Sequence, residues 1–134
     1  MLADKKLKAF IPTVNPEQAK EFYGNILGLE LLSQDSYALE FIANGTLLRI
    51  STVKKFMPQP FTVLGWDVDD LSLMIVSLTN KGVHFERYGF LEQDQLGAWT
   101  SPSGAKVAWF KDPDGNLLSL TEYPASYNIE TASH

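Results

Sequence analysis

The sequence predicts an α+β domain built from two tandem βαβββ modules, and three observations carry that prediction. Apolar runs flank Asp112-Pro113-Asp114-Gly115 and Asn44-Gly45, so each half of the chain closes on a β-hairpin. Val14 and Val68, Asn15 and Asp69, and Gly28 and Gly82 are each 54 residues apart, whereas Gly45 and Gly115, Leu47 and Leu117, and Leu48 and Leu118 are each 70 apart. The difference of 16 equals an insertion the size of Gly89–Gly104 in the second half. Neither module can cover both faces of its own sheet, so the two are expected to form a single domain over residues 1–134.

The elements follow in order. Leu7–Val14 has strand composition. Asn15 then stands as a helix N-cap, Pro16 suits the first helical position, and Gln18 sits where a capping-box partner would be. Ala19, Phe22, Tyr23, Ile26 and Leu27 make one apolar stripe, and Gly28 is the expected stop. Leu29–Gln34, Ser36–Ala43 and Thr46–Val53 follow as strands, so the first module spans about 7–53. Residues 54–60 form a linker in which Pro58 and Pro60 bar a strand. The second module spans about 61–123: a strand over Phe61–Val68, then a helix capped by Asp69 that buries Leu71, Met74, Ile75 and Leu78. Gly82 ends that helix, Val83–Arg87 is a strand, Gly89–Gly104 a polar loop, and Val107–Tyr123 the closing hairpin. Residues 124–134 form a polar tail.

Composition excludes several function classes. The net charge is −5 and there is no basic stripe, which argues against nucleic acid as a partner. With no cysteine, disulfides, thiolate metal sites and a Cys nucleophile are excluded. Met1–Lys8 lacks the apolar core of a signal peptide, and no run approaches a membrane span, so a cytoplasmic protein without membrane contact is expected.

Phe22-Tyr23 with Leu27-Gly28, Val68-Asp69-Asp70-Leu71, and Trp109-Phe110-Lys111-Asp112-Pro113-Asp114-Gly115-Asn116 resemble the vicinal oxygen chelate superfamily. That superfamily groups glyoxalase I, bleomycin-resistance proteins and extradiol dioxygenases. The resemblance covers roughly residues 7–123 and implies paired modules whose curled mixed sheets surround a cavity. In the enzymes, a divalent metal is held by His or Gln, Glu, His and Glu on the first and last strands of each module. Carried over, those positions are Ala9, Arg49, Val63 and Ser119, with a slip of one giving Lys8 or Thr62. None is a carboxylate or imidazole, and Leu7–Val14, Thr46–Val53 and Phe61–Gly65 contain no His, Asp or Glu. A fixed guanidinium beside a divalent cation is also costly at low dielectric. The expectation is no metal and no cofactor, and a metal-free small-molecule-binding homodimer of the bleomycin-resistance type, taking an aromatic or cationic drug-like ligand. The alternative is a glyoxalase-like lyase or isomerase, or a dioxygenase-type enzyme, with atypical or lost metal ligands.

The candidate ligand contacts are Arg49, Ser119, Ala9, Val63, Trp99 and Phe56. Arg49 interrupts an apolar strand, either as an anion or carbonyl anchor pointing into the cavity, or as an outward Arg or one paired with a nearby acid such as Glu40 on the adjacent strand. Ser119 interrupts Leu117–Leu120 as a polar contact; as a nucleophile it would need a base, for which His84 is the one candidate. His84 alternates with Glu86 on a solvated face, with a ligand-gating or acid–base role as its alternative, and the other histidine is His134. Trp66 and Trp109 are assigned mainly to the core, whereas Trp99 lies in the long loop where specificity tends to sit. Glu92 and Asp94 in that loop are solvated acids that would attract a cationic ligand.

Overall fold

A computed structural model describes residues 1–127; His134 and most of the polar tail lie outside the described residues. The chain divides into two compact units, residues 1–63 with 111–117, and residues 64–110 with 118 onward.

In the first unit, β1 (Lys8–Thr13), β2 (Glu30–Gln34), β3 (Ala38–Ala43) and β4 (Thr46–Thr52) form one sheet in the order β1-β4-β3-β2. β1 runs parallel to β4, and the β4–β3 and β3–β2 pairs are antiparallel. Asn44 and Gly45 both take positive φ, the type of tip a two-residue hairpin requires. One face carries Ile11, Leu39, Phe41, Leu48 and Ile50, all buried. It meets the helix α1 (Pro16–Lys20), which Asn15 caps by accepting from the Gln18 N–H.

The expected α-helix does not continue unchanged to Gly28. From Glu21 to Ile26 it widens into a π-helix, in which the Leu27 N–H bonds to the Phe22 C=O. The wider turn lets the adjacent Phe22 and Tyr23 both reach the interior, while Ile26 and Leu27 are only half-buried.

The Asp112–Asn116 turn belongs to this first unit and clasps it. The Asp112 carboxylate accepts from the N–H groups of Asp114 (3.0 Å) and Asn116 (2.9 Å) on one oxygen. Its other oxygen accepts from the Tyr23 hydroxyl (2.7 Å) and the Asn116 side-chain amide (2.9 Å). Asp114 takes the Thr13 hydroxyl at 2.6 Å and the Val14 N–H at 2.9 Å. One turn thus pins the end of β1 and the first helix. Burial pushes the Asp112 carboxyl above the ordinary carboxylate value, against the pull of its donors. Burial, and then the Asp112 charge, push the Tyr23 phenol up as well.

In the second unit, β5 (Thr62–Asp67), which starts in the first unit, joins β6 (Trp99–Thr100), β7 (Lys106–Lys111) and β8 (Leu117–Glu122) in the order β5-β8-β7-β6. Its inner face carries the buried Ala108, Phe110, Leu118 and Leu120. The helix α2 (Leu71–Thr79) buries Leu71, Ile75 and Leu78. Its N-cap is Asp70, not Asp69: the Asp70 carboxylate accepts from the Leu73 N–H, and Glu122 accepts from the Leu71 N–H at 2.9 Å. A stripe running Leu71–Ile75–Leu78 leaves Met74 38 % exposed at its edge, outside the core in which it was expected.

Two further expectations change. Val83–Arg87 is not a strand: only Phe85 bridges to Phe110, because the Glu86 C=O is taken by the Gln93 side chain. The strand of that module is instead β6, inside the segment expected to be a loop. Each sheet is open, with β1 and β2, or β5 and β6, as its edges, so the curled description holds only in part. Among the described residues, no helix is long and apolar enough to cross a membrane.

Candidate functional site

The face of each sheet opposite its buried side chains is open, and it carries most of the candidate ligand contacts. On the first sheet, the register lines up Phe10, Arg49, Glu40 and Ser33 across the four strands. Phe10 is 61 % exposed, with the Lys8 ammonium 5.7 Å from its ring centroid. The Arg49 guanidinium donates to Glu40 at 3.1 Å, and the Ser33 hydroxyl donates to the same carboxylate at 3.3 Å. Arg49 is therefore paired with the nearby acid that one of its readings named.

Ala9 does not share this face. It registers with Leu48, on the side of buried Ile11 and Ile50, and Lys8 is the residue that lies on the open side. The reason is a one-residue slip in the repeat. The caps Asn15 and Asp70 are 55 apart, yet the glycines Gly28 and Gly82 are 54 apart, and the π-helical turn holds the extra residue. Phe56, half-buried, belongs to the connector of the first unit.

On the second sheet, the open face reads Gly65, Ser119, Trp109 and Trp99 in strand order. A Cβ placed on Gly65 would lie 2.6 Å from the Ser119 hydroxyl oxygen, which sets the two on one side. Trp99 registers with Val107, and alternation puts Trp109 on the same face. Val63, 42 % exposed, alternates with Gly65 on this side of β5. Trp109 does not sit in the core as expected, because the core positions of its strand are Ala108 and Phe110.

An aromatic wall stands on β7 and β6. The Trp99 and Trp109 ring centroids are 6.1 Å apart, and Tyr88 meets Trp109 edge-on at 5.6 Å. Phe90, 83 % exposed, lies against Tyr88 at 5.6 Å. The loop carrying Tyr88 is anchored: Gln93 bonds the Tyr88 N–H and the C=O groups of Glu86 and Gly97, and Arg87 bonds the C=O groups of Asp94 and Gln95. Burial, and then the Glu86 charge, raise the Tyr88 phenol pKa. A cavity of about 390 Å³ adjoins the wall, lined by Glu92, Gln93, Asp94, Ala98, Trp99 and Thr100. The Asp94 carboxylate is already engaged by the Leu96 and Ala98 N–H groups.

The residues present do not fit a divalent metal. The positions where the enzymes' ligands fall supply a guanidinium, a hydroxyl and apolar or cationic side chains, and such cations need carboxylate or imidazole. Among the described residues, no three His, Cys, Asp or Glu side chains gather to hold one. Ser119 has no hydrogen-bond partner among the described residues, so no base stands ready to activate it, and His84 is exposed. Glu122, the nearest acid in sequence, is occupied at the α2 N-terminus.

Gly65, Tyr88 and Trp109 are the site residues sequence reasoning missed. The 55-residue spacing from Phe10 to Gly65 would have found the first of them, had the longer first helix been recognised.

No family model matches the chain, and no curated protein does. Solved structures share its fold. An antibiotic binding protein, TnmS3, from a Streptomyces species is 24 % identical with a TM-score of 0.72, over 92 % of this chain and 99 % of that one. A glyoxalase/bleomycin resistance protein/dioxygenase from Alicyclobacillus acidocaldarius is 18 % identical with a TM-score of 0.67, over 90 % and 92 %. A lactoylglutathione lyase from Agrobacterium tumefaciens is 15 % identical with a TM-score of 0.67, over 89 % and 93 %.

Proposed function

On the premise that this chain has the glyoxalase/bleomycin resistance/dioxygenase fold, we propose that it is a metal-free binding protein for a small aromatic molecule. The observation that carries this is the open face of the second sheet. Trp99, Trp109 and Tyr88 form a wall on the same face as Gly65 and Ser119, and among the described residues no metal-ligand cluster or activated nucleophile accompanies them. Large, stiff rings offer apolar area at little entropic cost, and their edges and faces favour other aromatic systems. Arg49, Ala9, Phe56 and Val63 belong to the first unit.

The reading is sequestration of a drug-like aromatic compound in the cytoplasm, without covalent chemistry. The antibiotic binding protein of like fold supports it, as does the wall itself. A cationic substituent would find Glu92 in the adjoining cavity. A homodimer belongs to the same reading, supported by exposed Phe10 and Phe90, and sedimentation equilibrium decides it.

The test is a melting-temperature screen against planar aromatic compounds, each with and without EDTA. Binding at 100 times Kd adds about 2.7 kcal/mol and raises the melting temperature measurably. An EDTA-insensitive rise is expected. Loss of the rise in EDTA, or turnover of a bound compound, would favour the lyase, isomerase or dioxygenase alternative. No rise with any compound would remove the binding reading.

A further inference from the structure

Gly65 has no backbone reason to be glycine, because its φ lies outside the left-handed region. Its reason is space. A methyl group there would come within 2.6 Å of the Ser119 hydroxyl oxygen and 3.3 Å of the Ser119 C=O. The missing side chain therefore leaves a notch directly over the hydroxyl. That hydroxyl has no hydrogen-bond partner among the described residues. No buried side-chain polar atom among them lacks a partner, so the Ser119 oxygen is not sealed from solvent.

The surroundings limit what can enter. Adjacent strands lie about 4.8 Å apart, so the three neighbouring strands β5, β8 and β7 span about 10 Å, enough for a fused two-ring arene. Such a ring can lie on the small floor with its edge or face against Trp109. Its substituent then meets a hydroxyl able to donate one hydrogen bond and accept another.

We propose that Ser119, uncovered by Gly65, is the specificity-determining contact of this face, selecting planar two-ring arenes that carry a hydroxyl or carbonyl over equally shaped arenes that carry none. The inference rests on the aromatic-binding reading and extends it. Discrimination follows because an apolar substituent would cover the hydroxyl without replacing its bond to water.

Equilibrium dialysis with 2-naphthol and 2-methylnaphthalene tests it, since the two differ only by OH against CH₃. The wild-type protein should bind 2-naphthol about tenfold more tightly, the size of one neutral hydrogen bond. Ser119→Ala should bring the two affinities within about twofold by weakening 2-naphthol alone. Gly65→Ala, which closes the notch, should also abolish the preference. If Gly65→Ala fails to fold, Ser119→Ala decides by itself. Equal binding of both probes by wild type, or a preference that survives Ser119→Ala, overturns the specificity assignment and leaves the aromatic-binding reading standing. Binding of neither probe overturns the selection of two-ring arenes, and the melting-temperature screen alone decides the aromatic-binding reading.

Discussion

The two open sheet faces are built on the same strand order but dispose of their polar groups in opposite ways. Across the first, Phe10, Arg49, Glu40 and Ser33 stand in register, and Glu40 neutralises Arg49 and takes the Ser33 hydroxyl. Across the second, Gly65, Ser119, Trp109 and Trp99 stand in strand order, and the Ser119 hydroxyl has no partner among the described residues. The first face engages its ion pair and the Ser33 hydroxyl with each other, and the second offers large aromatic area beside an open hydroxyl. A duplicated framework thus does not imply a duplicated site. What a face can bind depends on which of its polar groups the protein has already used.

The largest expected effect comes from the first unit, where saturation is most complete. Asp112 accepts four hydrogen bonds, so Asp112→Asn sets an amide NH₂ against donors. Urea unfolding should show a loss of about 2 kcal/mol. This effect should vary with pH. The folded-state pKa of Asp112 is raised above its ordinary 3.8, so the folded protein holds this proton more tightly than the unfolded chain. The stability that proton contributes is present below the unfolded value and lost as pH rises through the folded one. The gap between wild type and Asp112→Asn should therefore narrow as pH climbs from about 4, which urea midpoints across that range will check. A gap that widens would contradict the burial-dominated environment described for Asp112.

Trp109→Ala comes next and bears on the second face. Truncating a central aromatic contact should weaken an aromatic ligand by about 30-fold, near 2 kcal/mol, in equilibrium dialysis. If affinity survives, the wall is packing only and the contrast between the faces collapses.

Glu122→Gln should cost about 0.5–1 kcal/mol in thermal unfolding, since the charge-assisted bond to the Leu71 N–H weakens to a neutral one. Ligand affinity should not change, which would confirm that this carboxylate serves α2.

Arg49→Met should have the smallest effect. Its ion pair with Glu40 is partly exposed and worth about 0–1 kcal/mol. Ligand affinity should move less than about twofold. A loss of tenfold or more would show that the first face takes part in binding and would break the comparison.

Much of the framework was legible because it rests on local chemistry. Asn44-Gly45 and Asp112-Pro113-Asp114-Gly115 specify turns by the backbone angles their residues allow. Asn15 caps α1 as its side chain suggested. The misreadings arise where a distant group competes for a local one. The Gln93 side chain takes the Glu86 C=O and leaves Val83–Arg87 with a single bridge in place of a strand. The π-helical turn adds one residue to the first helix, so a repeat counted from glycine to glycine puts Ala9 where Lys8 belongs. A one-residue slip in a strand moves a side chain to the opposite face.

The amino-acid sequence alone determined the two modules, their hairpins, the absence of cysteine chemistry, and the lack of carboxylate or imidazole at the positions where related enzymes hold metal. Those follow from residue identity and spacing, which need no partner in space. Only the tertiary structure decided that Arg49 is spent on Glu40, that Trp109 leaves the core to face Trp99 and Tyr88, and that Gly65 uncovers Ser119. Each of these depends on strand register and on neighbours distant in sequence. Whether a polar group is used or free is a property of its surroundings, not of its place in the chain.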